Sequence, residues 1–176
     1  MNPWMELWGW ESTETRLDDG AVESCQQVWT RSEVVGMDER GARELAGHYW
    51  RIVRRATHGL VRVRESALGV EIRLPLGPPL LRFGPAVIEA DGDGVAAVHP
   101  IEGGLLAREP TGSISFSQRR LPDRMLVESA IAGFHPTLAA RPGAPDWTGE
   151  LYKRLQARLH VAISRRYFRE LAGARR

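Results

Sequence analysis

The sequence predicts an α+β fold in which a curved antiparallel sheet wraps around a long C-terminal helix. Three observations predict it. The apolar period changes from helical to two-residue near residue 60 and keeps that form to Gly133. Asp91-Gly92-Asp93-Gly94, a strong hairpin signature, lies between two alternating runs. Beyond Pro136, Pro142 and Pro145 the helical period returns, with Leu151, Leu155, Leu159 and Ile163 on one ridge.

The elements follow in order. Residues 1 to 20 hold Trp4, Trp8 and Trp10 with little periodicity and read as an N-terminal arm. Residues 22 to 35 are rich in β-branched side chains and read as a first strand. Asp38 stands where an N-cap belongs, and Ala42, Leu45, Ala46, Tyr49, Ile52 and Val53 recur at helical spacing, so residues 38 to 55 read as an amphipathic helix. Thr57 to Gly59 end it. Strands are then expected at Val61–Arg64, Val70–Leu74, Ala86–Ala90, Val95–Ile101, Ser113–Arg119 and Met125–Gly133, with a turn at Leu121-Pro122-Asp123-Arg124. Gly103-Gly104 suits a bulge that bends the sheet. Asp146 is the expected N-cap of a last helix over Trp147 to Leu171, about six turns long. The domain reading is an arm (1–20), one domain (21–172) and a basic tail (173–176).

A chain of 176 residues is long enough for one core without staples. Cys25 is the only cysteine, which excludes an intrachain disulfide and a thiolate metal cluster and suits a reducing compartment. The first ten residues lack a signal-peptide pattern, and charges interrupt every run long enough to span a bilayer, so the expected location is cytoplasmic with no transmembrane segment. Residues 1 to 36 hold two Arg against seven Asp or Glu, while residues 147 to 176 hold eight Lys or Arg against two Glu. That asymmetry suits mutual attraction of the two ends, within the fold or between copies, or two solvated surfaces.

The inner face of the sheet follows from centring each hairpin on its turn. If Ala90 pairs with Val95, Ile88 meets Ala97 and Ala86 meets His99. If Gln118 pairs with Val127, Phe116 meets Ser129 and Ile114 meets Ile131. Both registers give an apolar face that carries His99, Gln118 and Ser129. On the last helix Tyr152, Gln156 and His160 run beside the apolar ridge, facing the gap. Gln156 and His160 are the natural partners of His99 and Gln118, and a buried amide or imidazole without a partner costs on the order of 1–3 kcal/mol. These polar groups therefore satisfy one another or orient a ligand. The candidate ligand-binding residues are His99, Phe116, Gln118, Ser129, Tyr152, Gln156 and His160.

Two stretches carry a family likeness: Ile101-Glu102-Gly103-Gly104-Leu105-Leu106-Ala107-Arg108, and Gly133-Phe134-His135-Pro136-Thr137-Leu138-Ala139 before a helix with Gln156 and Arg165-Arg166-Tyr167. Together with the order of elements over residues 22 to 171, they resemble a branch of the START and polyketide-cyclase-like (SRPBCC, helix-grip) superfamily. The resemblance implies a helix-grip fold that holds a lipid-like or polyketide-like molecule between sheet and helix, with cyclase or dehydratase chemistry in a minority of members. A single helix after the first strand, where two are common, and the Trp-rich arm depart from that pattern.

No phosphate loop, nucleophile elbow, zinc helix or EF-hand loop occurs, and Lys153 is the only lysine. Asp91 and Asp93 without a trailing Glu read as a turn, not a calcium site. No cofactor, no metal and no catalytic residue is expected. His135, before Pro136, reads as a sheet-end residue. The basic tail lacks the interleaved aromatics of a specific nucleic-acid reader. The expected function is binding, carrying or sensing of an apolar small molecule. The alternatives are a cyclase or lyase in which His160 or His99 polarises a carbonyl, and a self-association module with a homodimer formed through the arm.

Overall fold

The computed structural model describes residues 7–137 and 161–173. The Asp146 cap, the ridge as far as Leu159 and the row of Tyr152, Gln156 and His160 lie outside the described residues, as do Trp4 and residues 174–176. Nine strands and one long helix precede the last helical segment: β1 (Leu7–Arg16), β2 (Val22–Thr30), α1 (Glu39–Ala56), β3 (Arg62–Ser66), β4 (Gly69–Arg73), β5 (Pro79–Phe83), β6 (Val87–Ala90), β7 (Gly94–Gly103), β8 (Ser113–Arg120) and β9 (Met125–Phe134). Residues 161–173 are helical and form the C-terminal helix.

The strands make one antiparallel sheet in the order β1-β2-β9-β8-β7-β5-β4-β3, with β6 paired to the first half of β7. This is the α+β, helix-grip arrangement that the pattern predicts, with the C-terminal helix and α1 together on the inner face. The helix α1 begins as expected: Asp38 is extended and its carboxylate accepts the Gly41 N–H at 2.7 Å, a cap worth about 1 kcal/mol. Its buried stripe, from Ala42 through Leu45, Tyr49, Trp50 and Ile52 to Val53, packs over β6, β7 and β8. There Tyr49 meets Phe116 at 4.6 Å between ring centroids, and Trp50 meets Phe83 at 5.1 Å. The C-terminal helix presents Ile163, Ser164, Tyr167, Phe168 and Leu171 inward. Tyr167 packs on Tyr49 at 5.4 Å and on Phe116 at 6.0 Å, so one aromatic cluster joins both helices to the sheet.

Three expectations change. Residues 7–16, read as part of an arm, form the edge strand β1, paired along its length with β2 and slipped by one residue where Gly9 takes a φ of +80°. Its own periodicity is weak because residues 11–16 are mostly charged or hydroxylated, and pairing supplies what local pattern does not. Trp10 lies edge-on to Phe168 at 5.6 Å, under the Arg165 guanidinium at 5.7 Å. The strand β5, absent from the sequence reading, is apolar without alternation and opens on Pro79, which hid it. The first strand ends at Thr30, and residues 31–38 instead fold back over the sheet end.

Gly103 and Gly104 take φ values of +125° and +123°, beside a register shift between Arg82 and Phe83. A Cβ on Gly104 would lie 2.4 Å from the Leu80 carbonyl oxygen. This is the sheet-bending bulge that the glycine pair suggested. Gly104→Ala should therefore lower stability by more than about 2 kcal/mol. Gly47→Ala, mid-helix with nothing within 4 Å of a new Cβ, should raise it by about 0.5–1 kcal/mol. Urea denaturation of the two variants checks both signs.

Candidate functional site

The hairpin registers place the predicted residues as expected. Ala90 pairs with Val95 and Ile88 with Ala97; Ile114 pairs with Ile131, Phe116 with Ser129, and Gln118 with Val127. All four described candidates are buried on the inner face: His99 is 5% exposed, and Phe116, Gln118 and Ser129 are 0% exposed. Gln118 and His99 have partners among the described residues, and the suggested partners Gln156 and His160 lie outside them.

Gln118 does not reach towards the last helix. Its amide oxygen accepts the backbone N–H groups of Val34 (2.7 Å) and Val35 (3.2 Å), and its amide nitrogen donates to the Val35 carbonyl (3.0 Å) and to Met37 Sδ (3.0 Å). Gln118 thus fastens the β2–α1 connection, whose backbone groups have few other partners, to the sheet. His99 is likewise engaged within the core. Its Nδ1 donates to the Gly84 carbonyl at 2.9 Å, which fixes the tautomer, and its ring stands edge-on to Trp50 at 5.6 Å. Burial holds the His99 imidazole below its ordinary value, against an opposing contribution from the Gly84 bond. Phe116 is the hub of the aromatic cluster. His135 closes the end of β9 near Thr111 and Asp19, as its position before Pro136 suggested.

Ser129 is different. Its hydroxyl is buried without a hydrogen-bond partner, as are Ser164 Oγ and Tyr167 Oη on the C-terminal helix and Trp50 Nε1 on α1. Ser164 and Tyr167, three residues apart, share one helix face. Ser129 is cross-strand from Phe116, on which the Tyr167 ring packs. Beside Ser129 on β2 lies Gln26, 1% exposed, whose amide donates to Ser24 Oγ at 2.6 Å. The β2–β9 half of the inner face is therefore an apolar floor, with Val28 and Val127, crossed by a neutral polar band of Ser24, Gln26 and Ser129.

None of Ser24, Gln26, Ser164 and Tyr167 was singled out as a candidate from sequence. The signal for the first two was available: Ser24, Gln26, Val28 and Thr30 alternate at period two, and extending the hairpin registers across β9 to β2 puts them on the inner face. Among the described buried residues no Asp, Glu, Lys or Arg occurs, and no group of three metal-ligating side chains is present. A separate, open cleft of about 440 Å³ lies at the sheet end between Arg31, Glu33, Arg120, Pro122 and Arg124. It contains none of the predicted residues, and its Arg120 is paired to Glu33 at 2.7 Å.

No protein-family model matches the chain, and no curated protein matches it. Among solved structures it is similar to CalU16 from Micromonospora echinospora, at 12% identity and a TM-score of 0.27 over 70% of this chain and 68% of that one. A likeness at that level carries no argument about what this chain does. No helix among the described residues is long and apolar enough to cross a membrane.

Gln118→Leu should destabilise by about 2–4 kcal/mol, since it strips the Val34 and Val35 N–H groups of their acceptor. Amide exchange at those two positions should accelerate with it. Acid should also weaken the fold. Burial lowers the pKa of His99 and, with Arg51 adding, of His48, so below about pH 6.5 the unfolded chain takes up protons that the folded one does not. The stabilisation is complete above that value and is lost as pH falls towards the folded pKa, at up to about 1.4 kcal/mol per pH unit for each group. Thermal midpoints between about pH 7 and 5 should fall in the parent and fall less in His99→Gln.

Proposed function

We propose that the protein binds an uncharged, largely apolar small molecule between the β2–β9 half of the sheet and the C-terminal helix. The observation that carries this reading is the set of buried hydroxyls without partners, Ser129 on β9 and Ser164 and Tyr167 on the C-terminal helix. Each costs on the order of 1–3 kcal/mol when left unmade, and a ligand carbonyl or hydroxyl would recover that cost. The absence of buried charge among the described residues suits a neutral molecule, and Val28, Val127, Ile163 and Phe168 supply apolar contact. The sequence resemblance to helix-grip carriers points the same way. Tyr152, Gln156 and His160 remain candidate contributors from the preceding part of the chain.

Carrying or sensing suits this chemistry better than catalysis. A cyclase or lyase needs an imidazole turned into open space within reach of a second polar group; His99 gives Nδ1 to Gly84 and packs on Trp50, so such chemistry would fall to His160, outside the described residues.

Two measurements test the reading. Native mass spectrometry of protein purified without organic solvent should find a bound lipid-like or polyketide-like molecule. Tyr167→Phe should leave the ligand-free protein as stable or more stable by about 1 kcal/mol, because it removes an unmade bond, yet lower the ligand-bound fraction by about five- to tenfold. A variant that loses about 1 kcal/mol without ligand and retains full occupancy would show the hydroxyl to be structural.

A further inference from the structure

The β3–β4–β5 lobe ends in a cluster of exposed leucines that the folding of this chain does not use. Arg62 at the start of β3 pairs with Arg73 at the end of β4, Arg73 pairs with Pro79 at the start of β5, and the Leu105 N–H donates to the Pro79 carbonyl at 3.0 Å. Four chain segments therefore converge at one end of the lobe. They carry Leu60, Leu74, Leu76 and Leu105, which are 72%, 45%, 101% and 49% exposed. Leu76 projects fully into solvent from a turn between Pro75 and Pro78, and an Arg73 guanidinium bond to the Gly77 carbonyl at 2.7 Å secures that turn. Scattered single leucines are ordinary on a surface, but four at one end form a patch.

The adjoining outer face is basic. Val63, Val70 and Phe83 point into the core, so Arg62, Arg64, Arg73 and Arg82 point out, with Glu71 as the one acid among the outward-facing paired positions. Glu71 is taken up by Arg73 at 3.2 Å. Arg62, Arg64 and Arg82 make no ion pair among the described residues. Arg62 and Arg64 also guard the free edge of β3 against strand pairing, but Arg82 lies on β5, inside the sheet, where no edge needs protection. Apolar side chains at a tip with unpaired cations behind them match the cross-section of an anionic bilayer surface, where acyl chains lie beneath phosphates.

We infer that this lobe docks the protein on an anionic lipid surface, with Leu74, Leu76 and Leu105 entering the acyl boundary and Arg62, Arg64 and Arg82 meeting lipid phosphates. The inference stands apart from the ligand reading, since none of these residues touches the β2–β9 face.

Co-sedimentation of the full chain with vesicles tests it. The protein should bind phosphatidylcholine–phosphatidylglycerol vesicles, bind pure phosphatidylcholine vesicles far less, and release as salt rises. Leu74→Ser with Leu76→Ser should lower the partition coefficient at least about tenfold. Leu105→Ser, on a separate segment, should lower it as well if the paired variant folds poorly. Arg62→Gln with Arg64→Gln and Arg82→Gln should abolish the preference for anionic vesicles. Failure to bind either vesicle overturns the inference, as does binding that the leucine variants leave unchanged. Self-association that Leu76→Ser abolishes, without vesicle binding, would assign the patch to a second copy instead.

Discussion

The structure depends on one packing constraint, the contact of Tyr49 and Trp50 with Phe116. Phe116 sits in the middle of β8 with its neighbours on both sides already paired, so its ring is fixed to the sheet. Tyr49 and Trp50 seat α1 against it, and Tyr167 seats the C-terminal helix against the same rings. Each aromatic residue buries roughly 150–250 Å², so this cluster is the largest apolar term linking three parts of the chain. The Asp38 cap sets where α1 begins, and Gln118 ties the preceding connection down, so the helix enters the concavity with little freedom.

On the proposed reading, the same cluster bears on where a ligand would go. Under α1 the inner face is aromatic: Phe116 and Trp50 pack together there, and His99 spends a ring nitrogen on the backbone. Towards β2 and β9 the aromatic residues give way to Ser24, Gln26 and Ser129, and the C-terminal helix carries Ser164 and Tyr167. Both surfaces are apolar enough to exclude water and polar enough to orient one or two groups of a neutral molecule. The division of the inner face into an aromatic half and a polar-banded half follows from where α1 lies.

Much of the fold was legible because its signals are local. Asp38 announces α1, Asp91 to Gly94 announce the β6–β7 turn, and strict alternation from Ser113 to Gly133 fixes both the strands and their register. A two-residue period excludes every odd slip, and the Leu121–Arg124 turn selects among the rest the register that sets Ile114, Phe116 and Gln118 opposite Ile131, Ser129 and Val127. What escaped depended on partners distant in sequence. The edge strand β1 is mostly polar from Glu11 to Arg16 and exists by pairing with β2. β5 has no alternation and begins with proline. The site was half legible for the same reason: burial of His99, Gln118 and Ser129 followed from register, but their hydrogen bonds did not. Nothing within strand β8 says that Gln118 will meet the backbone of Val34 and Val35, eighty-odd residues earlier. Tyr167 reads from sequence as an ordinary core aromatic, and only the three-dimensional placement leaves its hydroxyl without a bond.

The most direct measurement is a crystal structure of the full chain, purified without delipidation, at a resolution that shows bound small molecules. The account predicts continuous non-protein density between the C-terminal helix and the β2–β9 strands, with a polar atom within hydrogen-bond distance of Tyr167 Oη or Ser129 Oγ. An interior closed by side chains, with the hydroxyls of Ser129, Ser164 and Tyr167 bonded to protein groups, would contradict it.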